Sequence, residues 1–408
     1  MQTACWKRNS GLILAAALLA LCTTAQGASK YEVLHNFTGG ADGNGNSGVT
    51  LDQKGNLYAP SLGGGTGNCR DGCGLILELS RKANGKWHES VLYNFQRRGC
   101  GEPLRHFRLR LPGNLYGTTV WGGAHGYGTV FELARGDGGW SEKLLHSFCG
   151  PQPGCTSGGA PQAGVVMDGA GNLYGTAGVA YELSPDGSRW KETVLHRFTG
   201  ESGDGYGPFA GLIRDQGGNL YGTTQLGGLQ CGSSTCGTVY QLSPQADGRW
   251  KETILFRFNG KNGAWPGAGA LYMDGSGALY GTTENGGSYG GVVFKLTPEA
   301  GGRWSYAILY EFEGGAGGWL PDAGVVMDKS GNLYGTTDGG GGPSGCGGIY
   351  RLAPQPEGKW KYTVLHRFSG PDGCAPAGNL AIDQSGNLYG GTVLGGKYGY
   401  GAVFELTP

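Results

Sequence analysis

Arginine, histidine and cysteine are the side chains with the most chemistry to offer in this chain, and each is concentrated in a few places. His106, Arg108 and Arg110 fall in "LRHFRLRLPG" (Leu104 to Gly113), spaced two apart, which places them on one face of a strand. Arg97 and Arg98 precede them. Guanidinium groups so gathered grip carboxylates or phosphates through paired N–H donors. The stretch is therefore a candidate anion site, or the centre of a lyase or hydrolase acting on polysaccharide. The plainer alternative is a shifted or frayed strand with solvated arginines, and it is the reading adopted, because degenerate repeats lose their pattern without gaining function. Four of the seven histidines (His35, His146, His196, His366) share one repeat position that elsewhere holds Tyr93, Phe256 or Tyr310. A position open to His, Tyr or Phe reads as a packing slot. His88, His106 and His125 have no partner at metal-ligand spacing, so neither a metal nor a cofactor is expected.

Nine of the 11 cysteines lie beyond residue 28. Cys149 with Cys155 and Cys231 with Cys236 are local pairs, and Cys346 and Cys374 stand in loops flanking one repeat. Cys69, Cys73 and Cys100 make three, leaving one thiol over. Disulfides are the expected use in an exported chain; a zinc site at "CRDGC" or "CGSSTC" lacks nearby histidines. Aromatic side chains are the remaining candidates. Tyr206, Trp265 and Trp319 recur in nearly the same kind of loop, with Trp121 in a neighbouring one. Their flat faces suit stacking on sugar rings if exposed; the competing reading is that they cap the core.

The elements that must position these residues are announced by repetition. "AGVVMDGAGNLYGT" (Ala163 to Thr176) returns as "AGVVMDKSGNLYGT" (Ala323 to Thr336), and the tyrosine of this phrase falls at Tyr58, Tyr116, Tyr174, Tyr221, Tyr280, Tyr334 and Tyr389. An average spacing of about 55 residues lies in the range of propeller blades rather than helical repeats. Each unit holds four runs rich in β-branched and aromatic residues, punctuated by Gly, Pro, Asp and Asn. Asp-x-x-Gly joins the first two runs, with Asp52, Asp168, Asp215, Asp274, Asp328 and Asp383 in the lead position. Turn chemistry is the reading adopted for these aspartates, because no further carboxylates follow at the alternating positions of a calcium loop. Four antiparallel strands, seven times over, predict an all-β fold: a seven-bladed β-propeller. "YEVLHNF" (Tyr31 to Phe37) copies the fourth strand and the C-terminal "GAVFELTP" copies the third. The N-terminal strand is therefore expected to pair with the C-terminal blade and close the ring.

Bulk properties narrow the setting. Lys+Arg and Asp+Glu balance at 31 each, so no basic field exists to collect nucleic acid. Glycine is abundant (87 residues), but an aromatic content of 11% argues for a packed core over disorder. Lys7, Arg8, "GLILAAALLALC" and "TTAQGAS" form an export signal over 1–28, leaving 29–408 as one propeller without a membrane span. Lipidation at Cys22 is the rival reading; Leu21 before it is not the small residue such sites take. The expected location is secreted or periplasmic.

"GNLYGTT", "GTVFEL" and "W…LHRF" together resemble the choice-of-anchor tandem repeat GloVer-containing proteins, across all seven units. That resemblance implies an exported bacterial repeat protein and supplies no catalytic residues. Members often end in an anchoring tail, whereas Pro408 follows a strand directly, so the resemblance leaves surface attachment open. The function expected is binding, with extracellular carbohydrate or an envelope protein as partner, through the face carrying the cysteines and aromatics.

Overall fold

The computed structural model describes residues 29–46, 48–67, 72–96, 108–110, 113–150 and 153–408, with residues 108–110 described by backbone alone. Residues 1–28, expected as an export signal, and His106, Cys69 and Cys100 lie outside the described residues. Seven antiparallel sheets of four or five strands follow one another in a ring, giving a seven-bladed β-propeller. Blade 3 is representative: Val166–Met167, Leu173–Thr176, Val179–Asp186 and Arg189–Arg197 lie side by side in chain order. Two short ribbons, Gly205–Tyr206 with Leu226–Gly227 and Gln230–Cys231 with Ser234–Thr235, decorate blade 4.

Blade 7 takes its first three strands from Cys374–Ile382, Leu388–Leu394 and Ala402–Thr407, and its outer strand from Lys30–Asn36. The pairing runs from Lys30↔Thr407 through Val33↔Phe404 to Asn36↔Ala402. Both ends of the described chain therefore meet in one sheet, and a propeller needs such a clasp because an unpaired strand edge at its seam invites association.

The repeated phrase has a physical reason at each offset. Leu57, Leu115, Leu173, Leu220, Leu279, Leu333 and Leu388 are all fully buried, and each following tyrosine nearly so. Full burial of one such side chain contributes about 2 kcal/mol. The clusters they join span neighbouring sheets; Tyr116 of blade 2 packs with Leu173 and Tyr181 of blade 3. The outer-strand tryptophan closes the same seam further out: Trp87, Trp250 and Trp304 meet Tyr389, Tyr174 and Tyr221 of the preceding blade.

Two details depart from the sequence expectation. The innermost strand is only two residues long in blades 3, 4 and 6, where "AGVVMD" suggested six. Its leading Ala-Gly turns instead toward the preceding blade. The hydroxyls of Thr118, Thr176 and Thr282 donate to the carbonyls of Ala163, Ala210 and Ala323, each in the next blade, at 2.8–3.2 Å. Glycine is required at Gly324, where a Cβ would run into the Ala270 carbonyl. In every blade, moreover, the pairing of the third and fourth strands shifts by one residue, as between Val33 and His35 or Leu144 and His146. Such a bulge re-aims the side chain that follows. The one that follows here is the shared His/Tyr/Phe position.

Candidate functional site

In a blade of this topology, the loops between strands two and three and the crossovers from strand four to the next blade come out on one face. Backbone hydrogen bonds zip the two loop types together: Gly65, Gly287, Gly341 and Gly396 donate to the crossover carbonyls of Gly40, Gly260, Gly315 and Gly370 at 2.8–3.1 Å. The crossovers then dive toward the axis through a residue held at positive φ before a proline. Ala160, Trp265, Leu320 and Ala375 have φ of 52–56° ahead of Pro161, Pro266, Pro321 and Pro376. Such a backbone costs a non-glycine residue about 1 kcal/mol. Its recurrence in four blades marks this loop as set by the surrounding ring.

At the axis these loops frame a cavity of about 370 Å³ lined by Gln162, Phe209, Gln225, Ala268, Glu284, Leu320, Asp322 and Asp338. Gln225 donates to Glu284 at 3.2 Å, and Asp322 accepts from the Ala268 N–H at 3.0 Å. A second cavity, about 460 Å³, follows the inner strands of blades 3, 4 and 5 and carries Arg214 and Asn379. Asn379 reaches from blade 7 to accept from the Gly324 N–H at 2.8 Å. Gln225, Glu284 and Asp338 were missed in the sequence. Their signal is an interruption: four residues after the repeated tyrosine stand Leu62, Val120, Gly178 and Val393 in the other blades.

Of the ten large apolar side chains exposed among the described residues, Trp121, Tyr206, Leu229, Tyr289, Trp319, Leu394, Tyr398 and Tyr400 stand in the loops, short ribbon or strand end of this face; Val91 and Leu144 do not. Tyr206 and Trp319, 55% and 38% exposed, occupy matching crossover positions, two residues before a proline. Trp265 stands one residue later and behaves differently. Its indole N–H donates to the Thr235 carbonyl at 3.0 Å, and its ring packs with the cluster around Phe258 and Cys236. The structure thus brings Tyr206 and Trp319 to the surface and fixes Trp265 against the neighbouring loop.

The arginine stretch forms a strand, Arg108–Arg110, in the normal register. Arg108 pairs with Tyr116 as Val166 pairs with Tyr174, and Arg110 pairs with Asn114. The strand is therefore not shifted; Arg97, Arg98 and His106 lie outside the described residues. Arg110 stands where other blades have the turn aspartate, and the donors that aspartate would receive, Asn114 Nδ2 and Tyr116 OH, go to Glu132 at 2.6 and 2.7 Å. Cys149–Cys155, Cys231–Cys236 and Cys346–Cys374 are disulfides, and Cys73 is disulfide-bonded as well. Cys73, Cys236 and Cys346 occupy the position that holds Tyr127 and Tyr400 elsewhere, just before the third strand.

The shared His/Tyr/Phe position is more than packing, because it faces the second residue after the outer-strand tryptophan of the next blade, or after Ser29 in blade 7. His35 meets Glu89 at 2.9 Å, Tyr93 meets Glu142 at 3.0 Å, His146 meets Glu192 at 3.7 Å and His196 meets Glu252 at 3.6 Å. The remaining three interfaces carry stacked rings: Phe256 on Tyr306, Tyr310 on Tyr362 and His366 on Tyr31, with centroids 3.7–4.1 Å apart. Burial pushes the carboxyls of Glu192 and Glu252 up to about 7 and lowers His146 to about 4. The sequence carries only a partial correlation between repeats, because histidine and tyrosine each precede both kinds of partner. W-x-E follows the blades ending in His35, Tyr93, His146 and His196, W-x-Y follows those ending in Phe256 and Tyr310, and Ser29-x-Tyr31 follows His366.

Comparison with known proteins adds the following. No curated protein matches the chain. A solved structure from Thermus thermophilus, described as a putative oxidoreductase (glucose dehydrogenase), aligns over 93% of this chain and 100% of its own at 15% identity, with a TM-score of 0.42. The family model described as the Gloeobacter/Verrucomicrobia repeat matches residues 20–178, 176–318 and 269–408. With the repeat phrase, the ring and that match in agreement, the chain belongs to the Gloeobacter/Verrucomicrobia repeat family.

Proposed function

We propose that the protein is an exported binding module whose crossover face takes extracellular carbohydrate. The observation that carries this reading is that eight of the ten large apolar side chains exposed among the described residues stand on one face, around a mouth bearing Gln225, Glu284, Asp322 and Asp338. Sugars need both surfaces at once. Their C–H faces lie on aromatic rings, and their hydroxyls hydrogen-bond with carboxylates and amides. Three disulfides support an oxidising compartment, and among the described residues no helix is long and apolar enough to cross a membrane.

A glycan array probed with the intact protein tests the reading, followed by titration of any hit. Tyr206→Ala and Trp319→Ala should each weaken binding about tenfold, the loss of one stacked ring. Trp265→Ala should instead lower thermal stability, since that ring is held inward. Absence of binding to every glycan would remove carbohydrate as the ligand.

A further inference from the structure

Two blades bring a histidine, a crossover aspartate and the next blade's glutamate together, and they do so differently. At the seam of blades 7 and 1, the two ring nitrogens of His35 divide the acids: Nε2 lies 3.5 Å from Asp42 and Nδ1 lies 2.9 Å from Glu89. At the seam of blades 3 and 4, a single nitrogen faces both. Nε2 of His196 lies 3.3 Å from Asp204 Oδ1 and 3.6 Å from Glu252 Oε1, and the three atoms fall within 4.8 Å of one another. One nitrogen offers at most one proton to two carboxylates, Glu252 Oε1 is buried with no N–H donating to it, and the Asp204 carboxyl bears directly on Glu252. Arg257 partly offsets the charge on Glu252, but its Nε donates to the Gly203 carbonyl at 3.1 Å.

We propose that His196, Asp204 and Glu252 form a divalent-cation site for a zinc-like metal that ties the outer strand and crossover of blade 3 to blade 4. Donors about 2.1 Å from a shared metal stand about 3.0–3.4 Å apart when adjacent in its coordination sphere, close to the two His196 distances. One imidazole with two carboxylates suits zinc, cobalt or manganese better than calcium, which takes oxygen alone. The ligand that must be held is held. Asp204 Oδ2 accepts from the Thr199 N–H at 2.7 Å and the Thr199 hydroxyl at 2.8 Å, leaving Oδ1 directed at the site. The side chains are 15–23% exposed, so water has access to complete the coordination. Binding here requires nothing of the carbohydrate reading, although Asp204 stands in the same crossover as Tyr206.

Cobalt(II) is the probe of choice, added to the intact protein after chelator treatment and dialysis. One equivalent should bind with ligand-field absorption and without thiolate charge transfer, zinc should displace it, and zinc should raise the thermal midpoint. Glu252→Gln should weaken binding at least about tenfold, while Glu89→Gln leaves it unchanged. The double variant His196→Phe with Glu252→Tyr, which reproduces the Phe256–Tyr306 stack of the next seam, should fold and bind no cobalt. No ligand-field absorption at about 1 mM cobalt, charge transfer from thiolate, or undiminished binding by the double variant would each overturn the proposal.

Discussion

His146 and Glu192 face each other across blades 2 and 3 at 3.7 Å, and burial presses both toward their uncharged forms. The carboxyl rises from 4.5 to about 7, with Arg197 offsetting part of the rise, and the imidazole falls from 6.5 to about 4. The signs are opposite. A raised carboxyl contributes stability that is whole below its unfolded value near 4.5 and lost as pH climbs through 7. A lowered imidazole contributes stability that is whole above 6.5 and lost as pH falls through 4. The pair therefore favours the interval between, and Glu192 is a burden in alkali. Glu192→Gln should be more stable than its parent by about 1 kcal/mol at pH 8, allowing for partial hydration of the site, with the gain gone by pH 4.5. Urea unfolding at the two pH values measures it. A variant less stable than the parent at pH 8 would mean that the ionised carboxylate is held by a charged partner and that burial does not dominate.

The inner hairpin is the element whose chemistry is most nearly self-contained. Asp328 Oδ1 accepts from the N–H groups of Ser330 and Asn332 at 2.8 and 2.9 Å, and Oδ2 accepts from Asn332 Nδ2 and the Tyr334 hydroxyl at 2.8 and 3.0 Å. Burial alone would raise its carboxyl, but these bonds outweigh it and hold the group below its usual range. Asp328→Ala should cost about 2–3 kcal/mol at neutral pH, since four donors lose a charged acceptor, with the penalty shrinking as pH falls through the depressed carboxylate range. A shift in urea midpoint worth under about 0.5 kcal/mol would mean that water replaces the aspartate without cost. This hairpin was legible in the sequence because all its partners lie within six residues. The same holds for Cys149–Cys155 and Cys231–Cys236, and the repeat made the blade count and the closing strand legible as well. The glutamates opposite His35, His146 and His196 were not, since each partner lies a blade away and meets its histidine only after a bulge rotates the strand. The mouth residues were hidden for a related reason. Their position is apolar or glycine in four blades, and only the ring gathers the three polar exceptions of blades 4 to 6.

Around the whole ring the seven seams divide into two arcs. From blade 7 through blade 4 they are bridged by His–Glu or Tyr–Glu pairs, and from blade 4 back to blade 7 by stacked rings. The polar mouth residues Gln225, Glu284 and Asp338 stand on the second arc, whose seams carry no carboxylate in this slot. The seam between blades 6 and 7 differs from the others in that the N-terminal strand, paired within blade 7 to the C-terminal one, supplies its blade 7 side. Tyr31 stacks on His366 at 3.7 Å and donates to the Asp372 carbonyl at 2.7 Å, while Phe37 is fully buried. Removing residues 29–37 would strip the outer strand from Ala402–Thr407 and uncover one side of Phe404. Losing Phe37 and His35 alone forfeits about 4 kcal/mol of burial, a large part of the roughly 5–15 kcal/mol typical of a folded domain. The truncated protein should self-associate through the bared edge and melt at lower temperature. A synthetic peptide of residues 29–37, added in excess, should restore the monomer by supplying the missing strand from solution. Sedimentation velocity with and without the peptide reads this directly. A truncated chain that stays monomeric with an unchanged melt would mean that three strands suffice to hold blade 7 and that the clasp is dispensable.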